Sequence, residues 1–396
     1  MNEKKDVVVV GAARTAIGTF GGTLKDFAGA DLATIAVKEA FLRAKVDPAA
    51  AQQIVLGNVI QCEPRDMYVS RVAGINAGMT KESAALTLNR LCGSGLQAII
   101  TAANAIQLGD SEIAVGGGVE TMSRAPYVMQ GARWGTRMGD ASMLDMLLGA
   151  LQDPFGTGHM GITAENVAAL YSISREEQDA FAAESQRKAL AAIEAGYFKE
   201  QIVPVAIKGR NGTTPFETDE HPKAGTTAEA LAKLKPAFKK ENGTVTAGNA
   251  SGLNDGAAAV VLMDADAASR AGLAPLARLV SYAVAGVDPS LMGTGPIPAV
   301  KLALQRAGLT LADMDVIESN EAFAAQSLGV CRGLDLDPAK TNPNGGAIAL
   351  GHPLGASGAI ITVKCLYELK RTQKRYGLVT MCIGGGQGIA AIFERM

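Results

Sequence analysis

Short runs of apolar residues alternate along the chain with longer Ala-rich stretches. The runs Val7–Val10, Ile54–Leu56, Ile113–Val115, Ala258–Met263, Leu279–Tyr282, Val316–Glu318, Leu378–Ile383 and Ile389–Phe393 predict strands. Leu32–Ala44 and Ala299–Ala307 predict helices, and Gly308 stops the second. Near-continuous apolar strands between helices predict an α/β protein with buried sheets.

The pattern repeats once. Arg43-Ala44 recurs as Arg306-Ala307 and Ser94-Gly95 as Ser357-Gly358, both at an offset of 263. Ile54 ahead of Asn58 recurs as Val316 ahead of Asn320, at 262 for the asparagines. A strand leading into Gly116-Gly117-Gly118 matches a strand leading into Gly384-Gly385-Gly386, at 268. Four landmarks in one order predict two similar α/β halves. One half takes residues 1–120 and 249–273, the other 274–396, and 121–248 is an insertion without counterpart. The insertion holds the only Trp, Trp134, and a capping box at Ser174-Arg175-Glu176-Glu177 that opens a helix running toward Gly196. Its expected use is to shape a substrate channel or an oligomer contact.

Composition narrows the function. A chain of 396 residues exceeds one ordinary core. A net charge of -2 gives no footprint for nucleic acid or an anionic membrane. No apolar run approaches the roughly 20 residues of a bilayer span. Met1–Asp6 lacks the apolar centre of a signal peptide, and Phe393–Met396 is neither a peroxisomal nor a lipidation signal. Cys62, Cys92, Cys331, Cys365 and Cys382 are odd in number and show no CxxC pair, so neither a disulfide framework nor a zinc site is expected. The expected setting is a reduced cytoplasm, where a cysteine in a Gly-rich segment is a candidate nucleophile.

Cys92 lies in Asn89-Arg90-Leu91-Cys92-Gly93-Ser94-Gly95, ahead of an Ala-rich helical run. A helix N-terminus lowers a thiol pKa through its free N–H groups and partial positive charge. The alternative is a small buried hydrophobe, and the local sequence leaves both open. Among the three histidines, His221 sits in a charged, surface-like stretch that suggests a structural role. His159 lies in a Gly-rich turn that could touch ligand. His352, within Gly345–Gly358 and near the repeat of the Cys92 turn, is the general-base candidate. Cys382 ends a strand and is either a second proton carrier or a core residue. Asn320 follows a strand and suits a bound water or a developing oxyanion. The loop Ala247–Gly256 is expected near ligand, and no P-loop or dinucleotide fingerprint occurs.

These blocks resemble the thiolase family almost end to end: Asn89–Gly95, His159–Asn166, Ala247–Asp255, Asn320–Ala324, Asn344–Gly358 and Cys382–Gly388. Within the family, which includes acetyl-CoA acetyltransferases, Gly57–Gln61, Glu63–Tyr68 and Cys382–Arg395 are similar to bacterial β-ketothiolases of broader chain-length range. The resemblance implies two βαβαβαββ halves stacked in five α-β-α-β-α layers, with a loop domain inserted in the first. It implies reversible Claisen condensation of two acyl-CoA thioesters, acetyl-CoA with acetyl-CoA or a short acyl-CoA, and the reverse thiolysis. Cys92 is then the acylated nucleophile, His352 its activator and Cys382 the carrier of the α-proton. Asn320, through a water, and His352 stabilise the enolate. The N–H groups of Cys92 and Gly384 form a second oxyanion hole. His159 and Ser251 resemble pantetheine contacts, and Met160, Met292 and Phe323 pocket walls. Lys223 stands where some members have an arginine against the CoA adenine. The implied partners are CoA and acyl-CoA, with no metal or redox cofactor, no nucleic acid, no membrane and a homotetramer of paired dimers. A decarboxylating ketoacyl synthase is the rival on the same fold, but Cys382 stands where that class carries a second histidine. A non-catalytic acyl-CoA carrier on this scaffold is expected to have lost Cys92, His352 or Cys382.

Overall fold

The computed structural model describes residues 5–210 and 212–396. Its principal strands are β1 (Val7–Thr15), β2 (Gln53–Gly57), β3 (Ala84–Leu88), β4 (Ile113–Thr121), β5 (Asn254–Asp264), β6 (Ala277–Gly286), β7 (Val316–Ser319), β8 (Tyr376–Ile383) and β9 (Gln387–Arg395). The helices that matter for the site are α1 (Gly29–Ala44), α2 (Val69–Ala77), α3 (Ser94–Leu108), α4 (Met160–Leu170), α5 (Arg175–Glu194), α6 (Pro296–Ala307), α7 (Ala324–Leu334) and α8 (Leu354–Thr372). Every strand expected from the apolar runs is present, and each is longer than its run, from Val316–Ser319 by one residue to Ile113–Thr121 by six.

The spatial order of the strands is β7-β8-β9-β6-β1-β5-β4-β2-β3. β1 meets β6 through only two residue pairs, Val8 with Arg278 and Val9 with Ala277, so two sheets are joined at a seam. On either side of the seam the pattern is the same. Antiparallel pairs lead outward from β1 through β5 to β4, and from β6 through β9 to β8. Parallel pairs then add β2 and β7. Both seam strands carry a register shift at equivalent places, between Val9 and Gly11 and between Leu279 and Ser281.

Strand alternation separates the cores. Val7 and Val9 face one way, into a core built with α3, α8 and inward residues of β8 and β9. Val8 and Val10 face the other way, onto α1 and α2. Ile317, Leu378 and Ile392 pack outward onto α6 and α7. The result is five layers, with α3 and α8 between the two sheets. An 18-residue apolar window, Leu91–Leu108, has the length and composition of a membrane segment. The fold uses its Ser94–Leu108 part as this central helix.

The two central helices cross with almost no separation, at the repeated Ser-Gly pair. A Cβ on Gly95 would lie 2.6 Å from the backbone N of Ala359, and one on Gly358 would lie 2.4 Å from the backbone N of Leu96. Only glycine fits at either position, and the matched clashes show the approximate two-fold relation of the halves.

One repeat landmark needs correction. β4 and β8 are equivalent strands, starting at Ile113 and Tyr376, again 263 apart. Gly116–Gly118 lie inside β4, pressed on α3, α8 and β5, whereas Gly384–Gly386 form the turn between β8 and β9. The glycine triplets therefore have unrelated jobs. The first half's insertion enters where the second half has this short turn. Within the insertion, Ser174 and Glu177 form the expected capping box and open α5. The stretch around His221 is surface-like only in part: Thr218 and Lys223 are exposed, but the Asp219 side chain is buried, paired with the equally buried Arg14 of β1 at 2.7 Å.

Gly358→Ala should lower the unfolding free energy by roughly 1–3 kcal/mol or more, because the obstructing atoms are backbone and cannot rotate away. Urea titration checks this, and an unchanged midpoint would show that the crossing has slack.

Candidate active site

The turn between β3 and α3 presents Cys92. Ser94 Oγ accepts from the Arg90 N–H at 2.8 Å and donates to the Leu91 carbonyl at 2.6 Å, closing the turn on itself. Leu91 is held at φ 43°, a left-handed conformation that a leucine takes up only when its surroundings impose it. Its side chain lies against the turn opposite, since a Cβ on Gly384 would meet Leu91 Cδ1 at 2.9 Å and the Met160 sulfur at 3.6 Å. The backbone N–H groups of Gly384 and Cys92 act on the Cys92 sulfur in the direction that favours its thiolate.

The expected lowering of the Cys92 pKa is not what the structure gives. Burial outweighs the two N–H groups and pushes the thiol up to about 11. Cys382 is buried at the end of β8, and its thiol is raised further, by burial and then by the neighbouring Cys92. Cys382 shares a small core with Met160, Met292 and Phe323.

His352 follows Gly351, whose φ of 108° turns the chain into α8. The imidazole is 4% exposed, and burial lowers its pKa to about 4. Ser357 Oγ donates to the Pro353 carbonyl at 2.8 Å and lies 2.6 Å from His352 Nδ1. With its one hydrogen given to Pro353, Ser357 accepts from Nδ1–H. Nε2 is then the unprotonated nitrogen, and Asn320 Nδ2 lies 3.4 Å from it. The buried Asn320 Oδ1 has no hydrogen-bond partner among the described residues. Asn254 accepts from the His352 N–H at 2.9 Å and fixes the backbone of this segment.

Ser251 is pinned beside the Asn320 segment, its N–H donating to the Ala322 carbonyl at 3.0 Å while Ala250 bridges Phe323. His159 caps α4, its Nδ1 accepting from the Gly161 N–H at 3.0 Å. Its ring stacks on Phe238 at 4.6 Å, and Phe238 meets Phe323 edge-on at 6.2 Å. Lys223 is exposed, with its N–H donating to Gln186 on α5. It stands near His221, which packs on Gly252 and lies 3.4 Å from Asn254 Nδ2. Beside Leu91 opens a cavity of about 460 Å³, lined also by Val59, Ile60, Asn89, Met146 and Ala150.

The structure thus gathers Cys92, Gly384, Cys382, Met160, Met292 and Phe323 on one side, and ties His352, Asn320 and Ser251 into adjoining segments. Sequence reasoning missed Phe238, Ser357, Asn254 and Glu120. Ser357 was legible as a hydroxyl five residues after a histidine. The other three act across distant segments. Among the described residues, no cluster of three or more His, Cys, Asp or Glu residues suits a metal ion.

Residues 7–266 match the family description "Thiolase, N-terminal domain", and residues 273–395 match "Thiolase, C-terminal domain". The chain is 64% identical over 392 residues to the beta-ketothiolase BktB of Cupriavidus necator, covering 99% of this chain and 100% of that one. It is 52% identical to an acetyl-CoA acetyltransferase of Syntrophomonas wolfei, at 99% and 100% coverage. The crystal structure of human mitochondrial 3-ketoacyl-CoA thiolase superposes with a TM-score of 0.97 at 48% identity, covering 99% of each chain. The same human enzyme in complex with CoA gives 0.95, covering 99% of this chain and 98% of that one.

Two measurements follow from the burial of the site. Alkylation of Cys92 by iodoacetamide, followed by peptide mass spectrometry, should rise about tenfold per pH unit beyond the ordinary thiol value of ~8.5; a plateau at or below 8.5 contradicts it. His352 binds its proton in the unfolded chain near pH 6.5 and in the folded one near 4. Its share of stability is complete above 6.5 and lost as pH falls toward 4, at up to about 1.4 kcal/mol per unit. His352→Gln should flatten the acid limb of stability by one proton.

Proposed function

The chain belongs to the thiolase family and is an acyltransferase of the β-ketothiolase type working by ping-pong acyl transfer, and we propose that Cys92, His352, Cys382 and Asn320 carry its chemistry on acetyl-CoA and short acyl-CoA esters. The observation that carries the proposal is the Cys92 turn set against the Gly384 turn, through Leu91, beside the buried thiol of Cys382.

In the condensing direction, Cys92 attacks the first thioester and passes its proton to His352 Nε2. Cys382 protonates the departing CoA thiolate and is left as a thiolate. Resting Cys92 and His352 are both neutral, so ionisation accompanies attack rather than preceding it. That suits a site where an isolated charge is costly. Cys382, whose thiol is hard to ionise, is a correspondingly strong base once its proton has gone. It takes the α-proton of the second acyl-CoA. Asn320, through a water, and the imidazolium N–H of His352 meet the charge on the enolate oxygen. The enolate carbon attacks the acyl-Cys92 carbonyl, and the N–H groups of Cys92 and Gly384 receive the oxyanion. The Cys92 thiolate then leaves and recovers its proton from His352. Thiolysis runs the same steps backwards. One such donor is worth about 2.7–4 kcal/mol, and a placed acid or base roughly 10²–10⁴-fold.

The substrate contacts belong to the same proposal. His159, stacked on Phe238, and Ser251 line the path of the pantetheine arm. Met160, Met292 and Phe323 bound the acyl group, and Lys223 meets the nucleotide end of CoA. The cavity beside Leu91 supports acyl groups longer than acetyl. The working division is 1–120 with 249–273, 121–248, and 274–396, with CoA binding and subunit contacts in the middle segment. Exposed Trp134, Met138 and Met143 there support assembly into a homotetramer. A cytoplasmic enzyme needing no metal or redox cofactor completes the reading.

Cys92→Ala should abolish thiolysis and condensation of acetoacetyl-CoA. Cys382→Ser should leave acetylation of Cys92 visible by mass spectrometry while condensation falls by at least 10²-fold. Equal loss of both half-reactions would contradict the separate roles. Parallel thiolysis of C4, C5, C6 and longer 3-ketoacyl-CoA esters fixes the chain-length range.

A further inference from the structure

Glu120 is fully buried near the end of β4. Its two oxygens accept four hydrogen bonds. Oε1 takes the Ile60 N–H at 3.0 Å and Asn58 Nδ2 at 3.2 Å. Oε2 takes the Gly355 N–H at 2.7 Å and the Val59 N–H at 3.1 Å. Every partner is a donor, so only an acceptor-only carboxylate satisfies the set. Three donors belong to the segment after β2 in the first half, and Val59 and Ile60 also wall the cavity beside Leu91. The fourth opens α8 of the second half, three residues after His352.

α8 has no side-chain cap of its own, since its N-cap is Pro353. Its first N–H groups need acceptors, and its positive end favours an anion. Glu120 supplies both from the other half of the molecule. A Cβ on Gly355 would lie 2.8 Å from Glu120 Oε2, so the fit is close. The charge of Glu120 is also felt at Cys92.

We propose that Glu120 is a positioning residue for acyl transfer: it caps α8 from the opposite half and thereby holds His352 against the Cys92 turn. This rests on the roles given above to Cys92 and His352, and the two ideas fail differently. If His352→Ala leaves acetoacetyl-CoA thiolysis intact, the role of His352 is wrong. Glu120 is decided by a cycle of four enzymes: wild type, Glu120→Gln, His352→Ala and the double variant. They are compared by kcat and KM for thiolysis at pH 8, above the value of about 7 to which burial raises this carboxyl. Glutamine keeps the shape but turns an amide donor toward donors. Glu120→Gln should lower kcat 10–100-fold with KM within threefold, yet cost less than threefold when His352 is already alanine. A general structural role would cost the same in both backgrounds, and that result, or no loss in either, overturns the proposal. If the glutamine variant does not fold, Glu120→Asp enters the same cycle. It keeps the charge on a shorter stem and should show a smaller loss, again confined to the His352 background; equal losses overturn the proposal here too.

Discussion

The close crossing of α3 and α8 is the constraint on which the rest depends. At Gly95 and Gly358 the two backbones approach so closely that no side chain fits on either. That contact sets the separation of the two sheets, and with it the distance between the loops at the ends of these helices. Cys92 precedes α3 by two residues and His352 precedes α8 by two. The first turns of α3 and α8, distant in sequence, are thus set against each other by helix packing, which is stiff because it is backbone against backbone. The turn at Gly384 is fixed to the same frame, because a Cβ on Gly93 would strike Ile383, the last residue of β8.

Burial then sets the electrostatics. Two thiols and an imidazole stay neutral at rest because burial outweighs what their surroundings offer an isolated charge. The same dryness makes each N–H and amide aimed at the site more effective than it would be in water. His352 is oriented at three points: Ser357 at Nδ1, Asn320 near Nε2 and Asn254 at its backbone. Such a group needs little rearrangement during the reaction, which is where fixed donors gain their advantage over solvent.

Much of this was legible in the sequence. The strands showed as apolar runs, and the duplication showed because Arg43, Ser94 and Gly95 recur at a constant offset. Cys92, His352 and Cys382 stood out because a polar or nucleophilic residue among glycines and apolar residues is out of place there. The resemblance supplied their assigned roles. Other features were hidden for physical reasons. The ionisation of Cys92 depends on its desolvation, a property of the assembled site that outweighs the pull of the helix terminus. The glycine triplets look alike as letters, yet one gives helices room against a strand and the other turns a hairpin. Phe238 stacks on His159 from 79 positions away, and no local pattern announces that.

An offset of 263 carries Cys92 onto Gly355, so the duplicated architecture contains a second location equivalent to the nucleophile's. That location has no sulfur, and its backbone N–H is occupied by the carboxylate of Glu120. Of the two equivalent turns, one therefore carries a thiol and the other is a brace that ties the first half to the second.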